Sequence, residues 1–448
     1  MNTHPFLHLV LALVLTAPLL AAEPPLIVPP ASPEQPVRTA ASDSGAAPKM
    51  RHKLTPWLSF GSKAEIESEA RRDFDLDEDG PDSLTVFVPR FSFAFSYDPA
   101  PWFQAFVNTE LSHTFINDSE EESRLPDDNT RVAVRDAFVR LITPAGLSLQ
   151  AGRQRFKDSR EWLFDERLDA VRLAYRHEKW TAEIAVGQEN FGDDDILNSA
   201  DEGEAEETNN FLVHVRYDIN PKLHAAAYAL IQEDQTSDEE SPRFFGIHLD
   251  GEIANDLEVW LEAAHVRGRD SDEELRAWGF DLGATYEFDY DIKPSITFGY
   301  AFGTGDADTG DDVDRGFRQT GLQDNSAKFN GVTRLKYYGE VLDPELNNLN
   351  VLTAGIGIRP TKRSSVDLVY HHYLQHHRDA DRISDADIRV ETNGLDRNIG
   401  GELDLVAGYR EIDNLDLELT LGYFFPGQAL ATGADGAFLA AIKIRYGF

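Results

Sequence analysis

Apolar and polar residues alternate with a period of two along most of the chain after residue 54. In the clearest case, Leu147 and Leu149 fall on one face of a segment, and Ser148 and Gln150 fall on the other. This alternation predicts extended strands that each have an apolar and a polar face. The apolar face must contact either a second protein layer or lipid. A soluble sheet and a membrane barrel with a water-filled lumen therefore both fit a single hairpin.

Short and long connections separate the predicted strands, and the two kinds alternate strictly along the chain. The short ones lie at residues 98–101, 144–146, 178–179, 220–221, 254–256, 289–294, 361–363 and 413–414. The long, mostly acidic ones lie at residues 71–82, 117–129, 158–166, 192–208, 232–241, 269–274, 303–348, 375–398 and 426–435. Short turns that alternate with long loops are typical of outer-membrane barrels. The pattern therefore predicts an all-β, transmembrane, antiparallel barrel of 18 strands, wide enough for an aqueous channel.

Residues 332–341 also alternate and would form a nineteenth strand. An odd number conflicts with both chain ends lying on the same side of the membrane, as they do in bacterial barrels. We therefore assign these residues to the seventh long loop, as an extension of the wall or as a segment folded over the mouth.

We expect export and assembly signals at the two ends of the chain. Residues 6–20 form an apolar core, which predicts a signal peptide at residues 1–22. Residues 23–50 are rich in Pro and Ala, and we expect a flexible periplasmic segment there, with the barrel at residues 51–448. The last strand alternates and ends on an aromatic residue, Phe448, as the assembly signal of outer-membrane barrels does.

Composition excludes several classes of protein. The absence of Cys rules out disulfides, thiolate metal sites and a Cys nucleophile. A net charge of −37 with no dominant basic stripe excludes nucleic acid as the default partner. No apolar run after residue 22 is long enough for a membrane-spanning helix. We find no nucleophile elbow, phosphate-binding loop or zinc-protease motif, so the sequence does not predict an enzyme.

Three segments carry a resemblance to a known family. GRQRFKDSREWLFDERLDAVR at residues 152–172 resembles the signature of the alginate export family of outer-membrane porins, and residues 317–346 and 365–373 are similar to the same family. The resemblance implies a channel that passes an anionic exopolysaccharide, and a constriction where arginines hold uronate carboxylates. It also implies contact with the bilayer and lipopolysaccharide of a Gram-negative outer membrane, with the barrel assembly machinery and with periplasmic export partners.

Alternation and the resemblance together select the candidate pore residues. They are Arg90, Arg135, Arg153, Arg155, Asp165, Arg172, Glu189, Arg216, Lys443 and Arg445. Arginines facing the lumen would bind carboxylates and make the pore anion-selective. The alternative is that they pair with lumenal carboxylates in a solvated wall.

Two details of the strand pattern are irregular. Placing Val132, Val134 and Phe138 on the lipid face puts Arg135 inside but Asp136 outside. In the signature hairpin, Arg153 and Arg155 share the parity of the apolar residues, which requires a bulge near Gly152 or an exit from the bilayer. We expect this hairpin to end near the external mouth.

Asp75, Asp77 and Asp79 match the first half of a calcium-binding loop, but Val86 occupies the twelfth position, where a Glu is expected. The alternative is a solvated acidic loop, and we expect no other cofactor. For the whole protein, the main rival to export is a substrate-specific uptake porin for small anionic solutes. An outer-membrane enzyme or structural barrel is the third class.

Overall fold

A computed structural model of the chain describes residues 46–76, 83–118, 130–189, 196–197, 208–234, 240–270, 273–308, 310–381, 383–388, 390–431 and 433–448. The predicted signal peptide and most of the Pro- and Ala-rich segment, residues 1–45, lie outside the described residues. Among the residues described, there is no helix of sufficient length and hydropathy to cross a membrane.

The described part of the chain is built from strands. They are β1 (His52–Thr55), β2 (Leu58–Arg72), β3 (Ser83–Ala100), β4 (Phe103–His113), β5 (Phe115–Asp118), β6 (Thr130–Ile142), β7 (Leu147–Lys157), β8 (Asp165–His177), β9 (Trp180–Gln188), β10 (Thr208–Asn220), β11 (Leu223–Asp234), β12 (Arg243–Ala254), β13 (Leu257–Asp270), β14 (Glu273–Glu287), β15 (Ser295–Gly303), β16 (Val313–Asp314), β17 (Ser326–Ala327), β18 (Leu335–Lys336), β19 (Leu349–Thr361), β20 (Ser364–Gln375), β21 (Asn398–Tyr409), β22 (Leu415–Pro426) and β23 (Phe438–Gly447).

The long strands close into one antiparallel barrel. Each pairs with its neighbour in the chain, and β4 and β5 form one interrupted strand because β3 pairs with both. The first long strand, β2, pairs with the last, β23, from Lys63 opposite Gly447 to Arg72 opposite Phe438. The wall therefore contains 18 strands, and the prediction of an even-numbered barrel is confirmed. The predicted long loop at residues 269–274 is an exception, because β13 ends at Asp270 and β14 begins at Glu273, which makes this connection shorter than the turn between β14 and β15.

The outer face is apolar, as the alternation predicted. Phe91, Phe93 and Phe95 of β3 expose 40–46% of their surface, while the intervening Ser92 and Ala94 are buried. Trp102 and Trp180, beside the short turns, are 59% and 52% exposed. Exposed aromatic residues at this level fit the girdle that outer-membrane barrels place at the membrane interface.

The loop between β15 and β19, residues 304–348, enters the barrel; we call it the inserted loop. The expectation that residues 332–341 extend the wall or fold over the mouth is wrong. The Asn330 amide donates to Glu287 at 2.5 Å, and the Arg359 guanidinium donates to the Phe329 carbonyl at 2.7 Å. Glu287 and Arg359 flank short turns, so the loop reaches the short-turn end of the lumen.

Apolar contacts explain why this loop lies inside. Strands β11, β12 and β13 point Leu230, Phe244 and Trp260 into the lumen, which would be unfavourable in water. Phe329 of the inserted loop stacks on Trp260, with ring centroids 5.7 Å apart. Phe317 of the same loop is fully buried. Each such side chain contributes roughly 1.5–3 kcal/mol when it is removed from water, which favours the loop lying against these strands.

Candidate functional site

The open part of the lumen lies between the inserted loop and the opposite wall. It is a cavity of about 560 Å³ lined by β2, β3, β4, β6, β8, β22 and β23 on the wall side. Along β2 the lining runs from Glu65 to Arg71, a length on the order of 20 Å at about 3.3 Å per residue. This volume falls in the usual range of ligand-binding cavities.

Charged side chains of both signs line the cavity. Among the described lining residues, eleven are acidic and six are basic. The acidic ones are Glu65, Glu67, Glu69, Glu110, Glu161, Asp165, Asp324, Glu340, Asp343, Asp387 and Glu418. The basic ones are Arg71, Arg90, Arg135, Arg334, Lys336 and Lys443. Arginine therefore does not dominate the lining as a whole. Attraction for an anion must depend on the position of each cation and on whether a carboxylate already neutralises it.

Most of the wall cations are held by neighbouring carboxylates. Arg90 contacts Glu67 at 2.5 Å and Glu65 at 3.1 Å. Lys443 contacts the same Glu67 at 2.9 Å. Arg445 pairs with Glu418 beside the cavity. For these residues the structure contains the ion pairs that the pairing interpretation expected.

Arg135 differs from the other wall cations. It lines the cavity, and among the described residues no hydrogen bond or ion pair occupies its guanidinium. A planar guanidinium without a carboxylate partner can bind a carboxylate of a solute by donating two parallel hydrogen bonds to it. Arg135 is therefore the strongest candidate in the described lining for direct contact with an anionic group.

A bulge in β6 produces this arrangement. Asn108 of β4 lies opposite Asp136, but the next residue, Thr109, lies opposite Val134, so Arg135 is the extra residue. The bulge turns Asp136 inward, where the Asn108 amide donates to its carboxylate at 2.9 Å. The expectation that Asp136 faces lipid is therefore wrong, because a bulge resets the alternation.

The signature hairpin reaches the cavity through its tip. Arg155 pairs with Asp165, which lines the cavity. Gly152 adopts φ +117°, and a Cβ there would lie 2.2 Å from the Ala137 carbonyl oxygen. The pairing of β7 with β6 and with β8 nevertheless passes through this glycine without a register shift, so the strands do not form the predicted bulge there. The hairpin does not end at the external mouth, however, since its loop packs inside the barrel with Trp162 only 3% exposed.

Contacts with the inserted loop hold this hairpin loop in place. Trp162 donates its indole N–H to the Tyr338 hydroxyl at 2.9 Å. The Arg160 guanidinium donates to Asp281 at 3.0 Å and lies 4.3 Å from the ring centroids of both Trp260 and Tyr337. The signature sequence therefore builds a contact between two loops as well as part of the cavity wall.

The remaining predicted pore residues do not line the cavity. Arg153 forms a two-pronged pair with Asp169 at 2.7 and 3.1 Å. Arg172 pairs with Glu183 at 2.5 Å. Arg216 pairs with Asp218 at 2.8 Å, close to a short turn. Glu189 follows β9, away from the lining described above.

Three carboxylates of the lining cluster closely. Oxygens of Glu161, Asp165 and Asp324 lie within 4.8 Å of one another, which among the described residues is a spacing suited to a metal ion. Four cations already compensate them, however. Arg334 contacts Glu161 at 2.7 Å and Lys336 contacts Asp324 at 3.0 Å, while Arg155 pairs with Asp165 and Lys157 contacts both Glu161 and Asp165. Of the calcium candidates, Asp75 is described and lies outside this cluster, whereas Asp77 and Asp79 lie outside the described residues.

Burial tunes the ionisation of the inserted loop where it borders the cavity. It raises the pKa of Glu340 to about 8. Burial would lower the pKa of Lys336, but Asp343 at 2.9 Å and Asp324 at 3.0 Å raise it instead. Near neutral pH, Glu340 is therefore largely uncharged and Lys336 remains charged, which makes this side of the cavity less acidic than its composition suggests.

Glu402 of β21 binds the backbone of the inserted loop directly. Its carboxylate accepts N–H groups of Val341 at 2.7 Å and Leu342 at 3.0 Å, and the Tyr373 hydroxyl lies 3.0 Å away. The Tyr373 hydroxyl also donates to the Tyr338 carbonyl at 2.8 Å. Glu402 and Tyr373 are fully buried, so these contacts determine where the loop sits and hence the width of the cavity.

The family assignment follows from sequence comparison. The alginate export family matches residues 56–439, which is most of the chain and nearly the whole barrel. The chain belongs to the alginate export family. One relative is the alginate production protein AlgE of Azotobacter vinelandii, which is 29% identical over 185 residues. That aligned region spans only 37% of this chain and 37% of AlgE.

Solved structures show the same fold at low sequence identity. OprD of Pseudomonas aeruginosa superposes with a TM-score of 0.56 at 14% identity, covering 91% of this chain and 98% of OprD. OccK11 (OpdR) of the same organism gives a TM-score of 0.56 at 13% identity, covering 87% and 96%. This alginate export family member therefore has an outer-membrane, porin-like barrel fold.

Some residues of the cavity were missed in the sequence although a signal was present. Along β2, every second residue from Glu65 to Arg71 is charged, and the residues between them are Ile66, Ser68 and Ala70. This alternation marks one inward row of charges, namely Glu65, Glu67, Glu69 and Arg71. Glu340 and Lys336 carried no comparable signal. Their position depends on the entry of the inserted loop into the lumen, which alternation does not report.

Proposed function

We propose that this protein is a channel in the outer membrane of a Gram-negative bacterium that exports an anionic exopolysaccharide of the alginate type. Membership of the alginate export family supports a channel rather than an enzyme, and the similarity to AlgE supports a polyuronate as the cargo. The observation that carries the proposal to this chain is the Arg135 guanidinium, which lines the cavity without a partner among the described residues.

The mixed charge of the cavity suits a polymer that must be released as well as attracted. A uronate carboxylate that reaches Arg90 or Lys443 has to compete with Glu67, which already contacts both cations. Such competition keeps the attraction weak, and conduction requires sites that a solute can leave. Arg135 supplies direct attraction, and the paired cations supply exchangeable contacts along the same wall.

The excess of carboxyl groups limits what this lining does for small ions. Eleven acidic and six basic residues in the described lining do not support a strong anion preference for the whole pore. We therefore expect recognition of a polyuronate to appear as binding of its carboxylates near Arg135, and we take block of the current by uronate oligomers as the informative measurement.

A second candidate is a porin for small anionic solutes. The cavity favours it in one respect, because about 560 Å³ is a volume typical of a small-ligand site and the inserted loop narrows the lumen. The two functions predict different changes in binding affinity as the uronate oligosaccharide becomes longer. A polymer channel gains affinity with each carboxylate that engages a further cation, whereas a small-solute site gains nothing after the first sugar.

Conductance in planar lipid bilayers tests the proposal. Uronate oligomers of increasing length should block the current with rising affinity, and neutral oligosaccharides of equal length should not. Added salt should weaken the block through screening. Arg135→Gln should weaken it roughly ten- to a hundredfold, since a charge-assisted hydrogen bond contributes roughly 1.5–3 kcal/mol.

The matched control is Arg363→Gln, which removes an exposed arginine from a short turn outside the cavity and should leave the block unchanged. Equal block by neutral oligosaccharides, or no effect of Arg135→Gln, would contradict the polyuronate channel. Block by a monomeric uronate as strong as by long oligomers would favour the small-solute porin.

A further inference from the structure

A row of arginines lies on the outer face of the barrel at its long-loop end. Arg243 of β12 is directly opposite Arg267 of β13, and Arg267 is directly opposite Arg276 of β14. All three are exposed, whereas their inward neighbours Val266 and Leu275 are fully buried. The three guanidinium groups therefore share one level on the outside of three adjacent strands, which lie about 4.8 Å apart.

Few carboxylates balance this row. Glu274 contacts Arg276 at 2.8 Å, lies directly opposite Arg269 and is also close enough to Arg267 to interact with its charge. Among the residues that the structure describes, no carboxylate contacts Arg243 or Arg267, and the Arg267 Nε–H donates to the ring of His265 at 2.7 Å. Arg269 is also exposed and adds a fourth cation, two residues beyond Arg267 on β13 toward the long-loop end. This concentration of positive charge occurs on a chain whose net charge is −37.

Like charges on directly opposed residues destabilise a sheet unless an anion lies between them. The backbone nevertheless brings these strands close together. Gly268, next to Arg267, adopts φ +142°, and a Cβ there would lie 2.1 Å from the Ser241 carbonyl oxygen. Glycine thus lets the start of β12 approach β13 at the level where the arginines meet, so the local backbone permits the crowding of charge.

An apolar surface begins directly below the arginines. The next outward row on the same strands is Phe245, His265 and Trp278, with the His265 and Trp278 rings stacked at 4.0 Å. Phe245 and Trp278 are 47% and 57% exposed, and Ile247 in the row below is 53% exposed. The arginines therefore lie at the upper border of the lipid-facing belt, where the headgroups of the outer leaflet are found.

We propose that Arg243, Arg267 and Arg276 bind the phosphate groups of a phosphorylated glycolipid of the outer leaflet. Guanidinium groups suit phosphate because they donate paired hydrogen bonds to its oxygens. The acyl chains of the lipid would lie along Phe245, Trp278 and Ile247. The proposal goes beyond polymer export and requires only that the long loops face the cell exterior.

Lipid binding by the full-length protein in detergent tests the site. The probes are diphosphorylated lipid A, the same lipid without phosphates, and inorganic phosphate. We expect the wild-type protein to prefer diphosphorylated lipid A over the dephosphorylated form on the order of a hundredfold, taking about fivefold per arginine at a lipid surface. Inorganic phosphate should not displace the lipid, because it lacks the acyl chains.

The triple variant R243Q/R267Q/R276Q keeps Arg269 and should retain a preference of no more than about fivefold. The charge-matched control K179Q/K222Q/R363Q removes three cations from the short turns and should keep the preference. If the triple variant does not fold, Arg243→Gln alone should reduce binding of diphosphorylated lipid A about fivefold.

Equal binding of the two lipids by the wild-type protein would overturn the proposal, as would an unchanged preference in the triple variant. Displacement of the lipid by inorganic phosphate would overturn it as well, because it would indicate a phosphate site without a lipid. Loss of uronate block would leave these measurements unaffected, so the two proposals fail independently.

Discussion

Glu402→Gln should release the inserted loop from the wall of the barrel. The Glu402 carboxylate accepts the backbone N–H groups of Val341 and Leu342 at 2.7 and 3.0 Å in a fully buried position. A glutamine offers one accepting oxygen, and its NH₂ group would face the second N–H. The substitution therefore removes one charge-assisted hydrogen bond and leaves one buried N–H without an acceptor.

The magnitude follows from these two losses. A charge-assisted hydrogen bond contributes roughly 1.5–3 kcal/mol, and an unsatisfied buried donor costs a similar amount. Allowing for partial rearrangement, we expect loop docking to weaken by about 2–4 kcal/mol. Because each 1.4 kcal/mol is a factor of ten in an equilibrium constant, the released population should rise roughly 30-fold or more.

Cysteine labelling measures that population cleanly because the chain has no Cys. Ala327→Cys places a thiol on the inserted loop at a position that is 3% exposed. Its reaction rate with a water-soluble maleimide is proportional to the released fraction as long as re-docking is faster than labelling. We expect Glu402→Gln to increase this rate roughly 30-fold, and to increase channel conductance in the same preparation.

The control is Glu183→Gln, which alters another buried inward-facing carboxylate, one that pairs with Arg172 away from the inserted loop. It should leave the labelling rate at Ala327→Cys unchanged. A Glu402→Gln protein that labels at the wild-type rate would refute the assignment of Glu402 as a docking contact. Equal acceleration by Glu183→Gln would show that general loosening of the barrel explains the effect.

Three further predictions follow from the structure. Since burial raises the pKa of Glu340 from 4.5 to about 8, the docked loop holds a proton that the released loop loses. The labelling rate at Ala327→Cys, divided by the rate of a free cysteine peptide at the same pH to remove the thiolate dependence, should therefore increase as pH rises from about 5 to 8 and then level off. Glu340→Gln should remove that dependence, and a flat profile in the wild-type protein would contradict it. Arg160→Ala should weaken loop docking by about 3–5 kcal/mol by leaving Asp281 buried without its cation, measured by the same labelling assay, whereas a rate equal to wild type would show that the pair contributes little. Deletion of Phe448 should lower the amount of protein assembled in outer-membrane fractions, seen as the heat-modifiable band on gels, without altering single-channel conductance; unchanged assembly would remove its role as a signal.

The sequence was sufficient for the wall of the barrel because the wall depends on local patterns. Residues such as Phe91, Phe93 and Phe95 must face lipid, and the strand period then places Ser92 and Ala94 on the other face. Short turns and long loops alternate for topological reasons, so strand number and parity could be counted. The signature at residues 152–172 indicated the family on its own, and the match of that family to residues 56–439 confirmed it.

Only the tertiary structure decided what fills the lumen. The entry of the inserted loop depends on contacts between residues far apart in the chain, such as Phe329 with Trp260 and Val341 with Glu402. The local sequence around either residue of such a pair does not predict which residue it will contact. The state of each lumenal arginine is likewise non-local: Arg90 is neutralised across the sheet by Glu67, whereas a one-residue bulge leaves Arg135 unpaired among the described residues. Alternation determines which face a side chain occupies, but the closed barrel determines which charges meet.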